Sequence, residues 1–206
     1  MIPDLTGQQI NEILAAVNFE RWINKAELAP ADFDFTTTES DLSQMLAEQY
    51  VALGGAGSPE QKDEYFNFYS NLKVVFHDTL LALEDQVTIA ILERIDADLG
   101  VTADVDPEVR QRWYALGLSK MYDPVYSPAH DWISSMGRSK YLNPIYQSLQ
   151  DSGQHDLGVQ WFDENKDFYH PVAATSVEEI LGIQDEQVSR VASPAKGLLE
   201  SLMILQ

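Results

Sequence analysis

Four prolines constrain this chain more than any other feature. Asp106-Pro107, Ser127-Pro128, Asn143-Pro144 and His170-Pro171 each read as a helix start, because proline at the first helical position gives up an N–H that has no partner there. None of the four fits the interior of a sheet, where proline removes a ladder hydrogen bond. Their intervals of 21, 16 and 27 residues are uneven, which rules out a strict sequence repeat. The segments between them are short and carry apolar residues at three- and four-residue spacings. Alternating β-branched runs are absent. The expected fold class is all-α, with stacked antiparallel helix pairs forming a short curved solenoid.

The rest of the chain follows the same pattern. A helix is expected over Leu5 to Val17, then an extended linker anchored by Trp22, Phe33 and Phe35. Thr36-Thr37-Thr38-Glu39 opens a helix with Leu42, Met45, Leu46 and Gln49 on one face, and Gly54 stops it. Ser58-Pro59-Glu60-Gln61 reads as a capping box leading into an aromatic helix with Tyr65, Phe66, Phe68 and Tyr69. Helices are also expected over Val75 to Leu83 and around Val87, Ile91 and Ile95, the latter ending at Gly100. Gly153 begins a helix carrying Leu157, Val159, Trp161 and Phe162, and Gly182 ends the one that starts at Pro171. The tail from Gln187 to Gln206 reads as an amphipathic helix with Leu198, Leu199, Leu202, Met203 and Leu205.

Composition narrows the partners. The 206 residues include 33 acidic and 13 basic ones, for a net charge of −20. Phosphate backbones call for clustered Lys and Arg, so nucleic acid is a poor partner. There is no cysteine, hence no disulfide framework and no thiolate metal site. No apolar run reaches the length of a membrane span, and Met1-Ile2-Pro3-Asp4 does not open a signal peptide. A cytoplasmic location is expected.

Against that acidity, the stretch Gly137-Arg138-Ser139-Lys140-Tyr141-Leu142-Asn143-Pro144 stands out. Gly137 reads as a left-handed helix stop and Asn143-Pro144 as the next start, which leaves Arg138 and Lys140 on a tight connector. Arg can fork onto a carboxylate and Lys can add a compact point charge. The plainer reading is a surface loop whose cations offset neighbouring acids. No catalytic constellation competes with this pair. His77, His130, His155 and His170 are scattered, with no His-Glu-x-x-His pair, and no nucleophile elbow or phosphate loop exists. His170 reads as a capping or packing residue, and Glu178-Glu179 and Asp34/Glu39 as solvated acids.

Three motifs in order carry a family resemblance. Arg110-Gln111-Arg112-Trp113, then Gly137 through Tyr146, then Tyr169-His170-Pro171-Val172-Ala173-Ala174 resemble the C-terminal helical domain of leukotriene A4 hydrolase and the related zinc aminopeptidases. Asn18-Phe19-Glu20-Arg21-Trp22 and Asp32-Phe33-Asp34-Phe35-Thr36 look like the linker into that domain, so the resemblance covers about residues 18–183. It implies an armadillo-like, two-layer α-α superhelix that walls one side of a zinc enzyme's cleft. It also implies that Arg138 binds the carboxylate of a peptide or lipid epoxide, with Lys140 assisting.

The expected organisation is a remnant of the preceding domain and linker at 1–35, the helical domain at 36–183 and an extra helix at 184–206. No cofactor is expected in this chain. The family's zinc motif and glycine-rich exopeptidase motif belong to a catalytic domain that the sequence lacks, so it should not hydrolyse substrate by itself. The expected partner is that zinc catalytic domain. The alternative is a stand-alone helical scaffold that docks protein partners without chemistry.

Overall fold

A computed structural model describes residues 6–16, 23–24 and 36–183. It divides into two units, residues 1–36 and 37–206. The predicted linker motifs at 18–22 and 32–35 and the predicted helix at 184–206 lie outside the described residues.

In the first unit, helix α1 runs Gly7–Ala16. Thr6 caps it reciprocally: the Gln9 amide donates to Thr6 Oγ1 at 3.3 Å, and the Thr6 amide donates to Gln9 Oε1 at 2.9 Å.

The second unit contains helices α2 (Thr38–Leu53), α3 (Ser70–Ala82), α4 (Ile89–Leu99), α5 (Pro107–Ser119), α6 (Tyr126–Ile133), α7 (Ser139–Asp151), α8 (His155–Asn165) and α9 (Pro171–Leu181). Among the described residues there is no strand. Helices α3, α5, α7 and α9 form one row, each packed on the next. Helices α6 and α8 connect its later members and pack on them, while α2 lies against α3 and α4. The result is the expected two-layer superhelix.

Local signals place most of the helix ends. Thr37 caps α2 and exchanges hydrogen bonds with Ser40, Thr88 caps α4 and Asp106 caps α5. Gly54, Gly100 and Gly182 close α2, α4 and α9 in the left-handed conformation. His170 Nδ1 accepts the Val172 amide at 3.3 Å, so this histidine is the cap of α9. Pro128 falls at the third position of α6 and Gly153 sits in the turn before α8.

The core is continuous through the second unit and rich in aromatics. Tyr50, Tyr65, Phe76, Trp113, Tyr114, Tyr146 and Phe162 are all essentially fully buried. Trp113 donates its indole N–H to Thr102 Oγ1 at 2.9 Å, which satisfies the one polar atom that burial would orphan. At Gly117 in α5 an added Cβ would lie 2.7 Å from Val125 Cγ2, so glycine allows the chain after α5 to turn back closely on it.

Three expectations are corrected. The aromatic segment after Pro59 is a 3₁₀ turn over Lys62–Asn67, not an α-helix. Tyr65 and Phe68 are buried three residues apart, the 3₁₀ repeat, while Phe66 and Tyr69 stay exposed. In α2 the buried face is Ser43, Leu46, Ala47 and Tyr50, and Met45 is exposed.

The third correction concerns the connector between α6 and α7. Asn143-Pro144 does not start a helix: α7 already begins at Ser139, and Pro144 lies inside it. Leu142, Ile145, Tyr146 and Leu149 are all buried, and only a helix running through Pro144 puts them on one face. Asn143 is not a cap either; its Nδ2 donates to Ser176 on α9 at 2.9 Å. Gly137 does not have a positive φ. It lies beside the segment before α9, where an added Cβ would make only ordinary contact, 3.5 Å from the His170 amide nitrogen and 3.7 Å from the Phe168 carbonyl.

Candidate functional site

The three sequence motifs meet around the start of α7. Arg138 is the residue before the first turn, and its side chain does not cap the helix. The first turn also lacks an acidic residue. Its leading N–H groups therefore add a favourable field for an anion to any charge placed beside them. Arg138 is exposed, and its guanidinium carbon sits 5.8 Å from the centre of the Tyr141 ring. It makes no ion pair or hydrogen bond with any described residue. The Tyr141 ring thus supports the guanidinium while leaving its N–H groups open.

Lys140 is placed differently. It occupies the second position of α7, and its Nζ lies 2.5 Å from Glu108 Oε1 on α5. The Tyr141 hydroxyl donates to the same oxygen at 3.1 Å, and Arg112 Nη1 donates to Glu108 Oε2 at 3.2 Å. The bond from Lys140, ahead of those from Arg112 and Tyr141, holds the Glu108 carboxyl below its ordinary range against the opposing effect of partial burial. Arg112 is fixed in turn by Asp78 on α3, with Nε 2.5 Å from Oδ1. One charged network therefore ties α3, α5 and α7 together. The Lys140 ammonium also lies 5.5 Å from the Tyr141 ring centre, so both cations lie beside the same ring.

Gln111 completes the support. Pro144 has no N–H to offer the Lys140 carbonyl four residues earlier. With its amide turned to satisfy both ends, Gln111 donates to that carbonyl at 3.0 Å and accepts from Arg112 Nη1 at 2.8 Å. Behind Tyr141, Trp132 lies 5.6 Å away ring to ring and 5.7 Å from Tyr114. Trp132 and Tyr114, with Arg110, Asp131 and Ser135, line an open cleft of about 640 Å³.

Both cations lie beside the Tyr141 ring, whereas most of what surrounds them has no local signal in the sequence. Glu108 and Arg112 are four apart on one helix, a spacing that was legible as an ion pair. The contact of Glu108 with Lys140 spans 32 residues and has no local signal.

Among the described residues no three His, Cys, Asp or Glu groups converge as metal ligands. His77 is buried against Tyr65, His130 pairs with Glu164, His155 with Gln150, and His170 caps α9. These residues do not fit a zinc site.

Comparison with known proteins decides the family. The family model "Leukotriene A4 hydrolase, C-terminal" matches residues 68–181, more than half of the chain. This chain belongs to that family. Leucine aminopeptidase 2 of Neosartorya fischeri is 27% identical over 174 residues, covering 84% of this chain and 28% of the relative. Leucine aminopeptidase 2 of Aspergillus terreus is 25% identical over 173 residues, with the same coverage of 84% and 28%. The solved structure of native yeast LTA4 hydrolase superposes with a TM-score of 0.69 at 22% identity, covering 84% of this chain and 30% of that one, and shares the fold. The chain thus spans under a third of the length of these relatives and is a C-terminal domain of the leukotriene A4 hydrolase and aminopeptidase type.

Proposed function

We propose that this domain walls one side of the substrate cleft of a zinc aminopeptidase or epoxide hydrolase, and that Arg138 receives the substrate's carboxylate there with Lys140 beside it. One observation carries the reading. In a chain of net charge −20, Arg138 is exposed at the start of α7, backed by Tyr141 and without a counter-ion among the described residues. A guanidinium held that way offers paired N–H donors to a carboxylate. Zinc, held by a partner domain outside this sequence, would supply the bond-breaking chemistry. The contribution of this chain is to bind and orient the anionic end, which turns binding energy into positioning. The enzyme is proposed to be cytoplasmic; no described helix is long and apolar enough to cross a membrane.

A second reading, a scaffold that docks protein partners without chemistry, is favoured by Phe168 and Val172. Both are more than half exposed, on the segment that passes Gly137. Capture of the tagged full chain from its own lysate, followed by an aminopeptidase assay, separates the two. Zinc-dependent activity in the eluate that falls with Arg138→Ala supports the cleft-wall reading. An inactive assembly of unrelated proteins supports the scaffold.

A further inference from the structure

The two cations of the site are not equivalent, and Glu108 makes the difference. Arg138 has no anionic partner among the described residues, whereas Lys140 already holds one at 2.5 Å. Arg112, the third cation nearby, is matched by Asp78 and shares Glu108. Counting Arg138, Lys140 and Arg112 against Glu108 and Asp78 leaves a single net positive charge. We propose that Glu108 is a specificity-determining residue: as a resident carboxylate on Lys140, it tunes the site to ligands presenting one carboxylate and against dianions. This rests on the reading of Arg138 as the carboxylate receptor.

The geometry argues that Glu108 stays where it is when a ligand arrives. Its carboxylate accepts from Lys140, Tyr141 and Arg112, donors on two helices. Swinging it away would strip an acceptor from each, including Arg112, which is only 17% exposed. An incoming carboxylate therefore takes the open fork of Arg138 and meets Lys140 as a cation already neutralised. A second negative group on the ligand would meet, beside Arg138, only the already paired Lys140 and would face the Glu108 carboxylate across it; Arg110, in the neighbouring cleft, is turned to the Asp104 carbonyl. The side chains involved are partly exposed, so the discrimination is electrostatic, modest and salt-dependent.

The test is an amide-resolved NMR titration of the full chain at neutral pH and low ionic strength, with propionate and with succinate as probes. In the wild type, succinate should bind no more tightly than propionate. In Glu108→Gln, which keeps an acceptor for Tyr141 while removing the charge, the succinate-to-propionate affinity ratio should rise by about fivefold, the size of one unscreened charge at contact distance in water. Raising the salt concentration should erase that gain. Tyr141→Phe, which removes a hydrogen bond to Glu108 without changing any charge, should leave the ratio at its wild-type value.

If Glu108→Gln does not fold, Glu108→Asp draws the carboxylate back from Lys140 and should raise the ratio by a smaller factor. An unchanged ratio in the folded Glu108 variant, with both probes still lost in Arg138→Ala, would overturn the role of Glu108 alone. Probe binding that survives Arg138→Ala would overturn the carboxylate reading beneath it.

Discussion

Gln111 donates its side-chain amide to the Lys140 carbonyl at 3.0 Å, the carbonyl that Pro144 cannot serve from within α7. This pairing explains how a helix tolerates proline next to the candidate site. The residue on α5 replaces a bond that the α7 backbone has lost, and it does so from a buried position, 7% exposed. Gln111→Ala should destabilise the domain by about 1–3 kcal/mol, the usual cost of leaving a buried polar group unmatched. Pro144→Ala restores the N–H, so the double variant should recover part of that loss. A denaturant-melt double-mutant cycle reads the coupling, and strictly additive effects would contradict it.

Trp113 on α5 is fully buried and hydrogen-bonded to Thr102. Trp113→Ala should lower stability by about 3–5 kcal/mol by urea unfolding, since both the ring volume and its contacts are lost. An unchanged midpoint would mean that the ring is not core.

Gly117→Ala should destabilise by about 1–3 kcal/mol, because its new methyl would press on both Val125 γ-carbons at 2.7 and 2.8 Å. Val125→Ala in the same chain should relieve part of this loss. Thermal melts of the single and double variants decide it.

His77 gives the domain a pH dependence. Burial, opposed only in part by Asp104, pushes its pKa from the ordinary 6.5 down to about 3. The folded state therefore keeps His77 neutral while the unfolded state protonates it. Its contribution to stability is complete above about pH 6.5 and is lost as pH falls toward about 3, with a slope of up to about 1.4 kcal/mol per pH unit. Glu108, with its pKa also lowered, adds to the loss in the acidic range. Urea midpoints of His77→Gln should show a shallower fall between neutral pH and about pH 5 than those of the wild type, and parallel curves would contradict the assignment.

What the sequence disclosed divides along the range of the interactions. Asp106-Pro107, His170-Pro171, Gly54, Gly100 and Gly182 mark helix ends correctly because caps act within four residues. Arg138 and Lys140 stand out because two cations are conspicuous among so many acids. Pro144 misleads for the opposite reason. The local rule puts proline at a helix start, but burying Leu142, Ile145, Tyr146 and Leu149 outweighs it, and the compensating amide comes from 29 residues away on α5. The pairing of Lys140 with Glu108 is likewise set by how α5 and α7 pack, which no spacing within either segment records.

Arg138 is proposed as the open receptor for a carboxylate. The direct measurement is an NMR titration of the full chain with N-acetylleucine and, separately, with its uncharged amide. The acid should shift the amides at the start of α7, the uncharged amide should leave them unmoved, and Arg138→Ala should abolish the response to the acid. Equal responses to acid and amide, or a response to the acid that persists in Arg138→Ala, would contradict it.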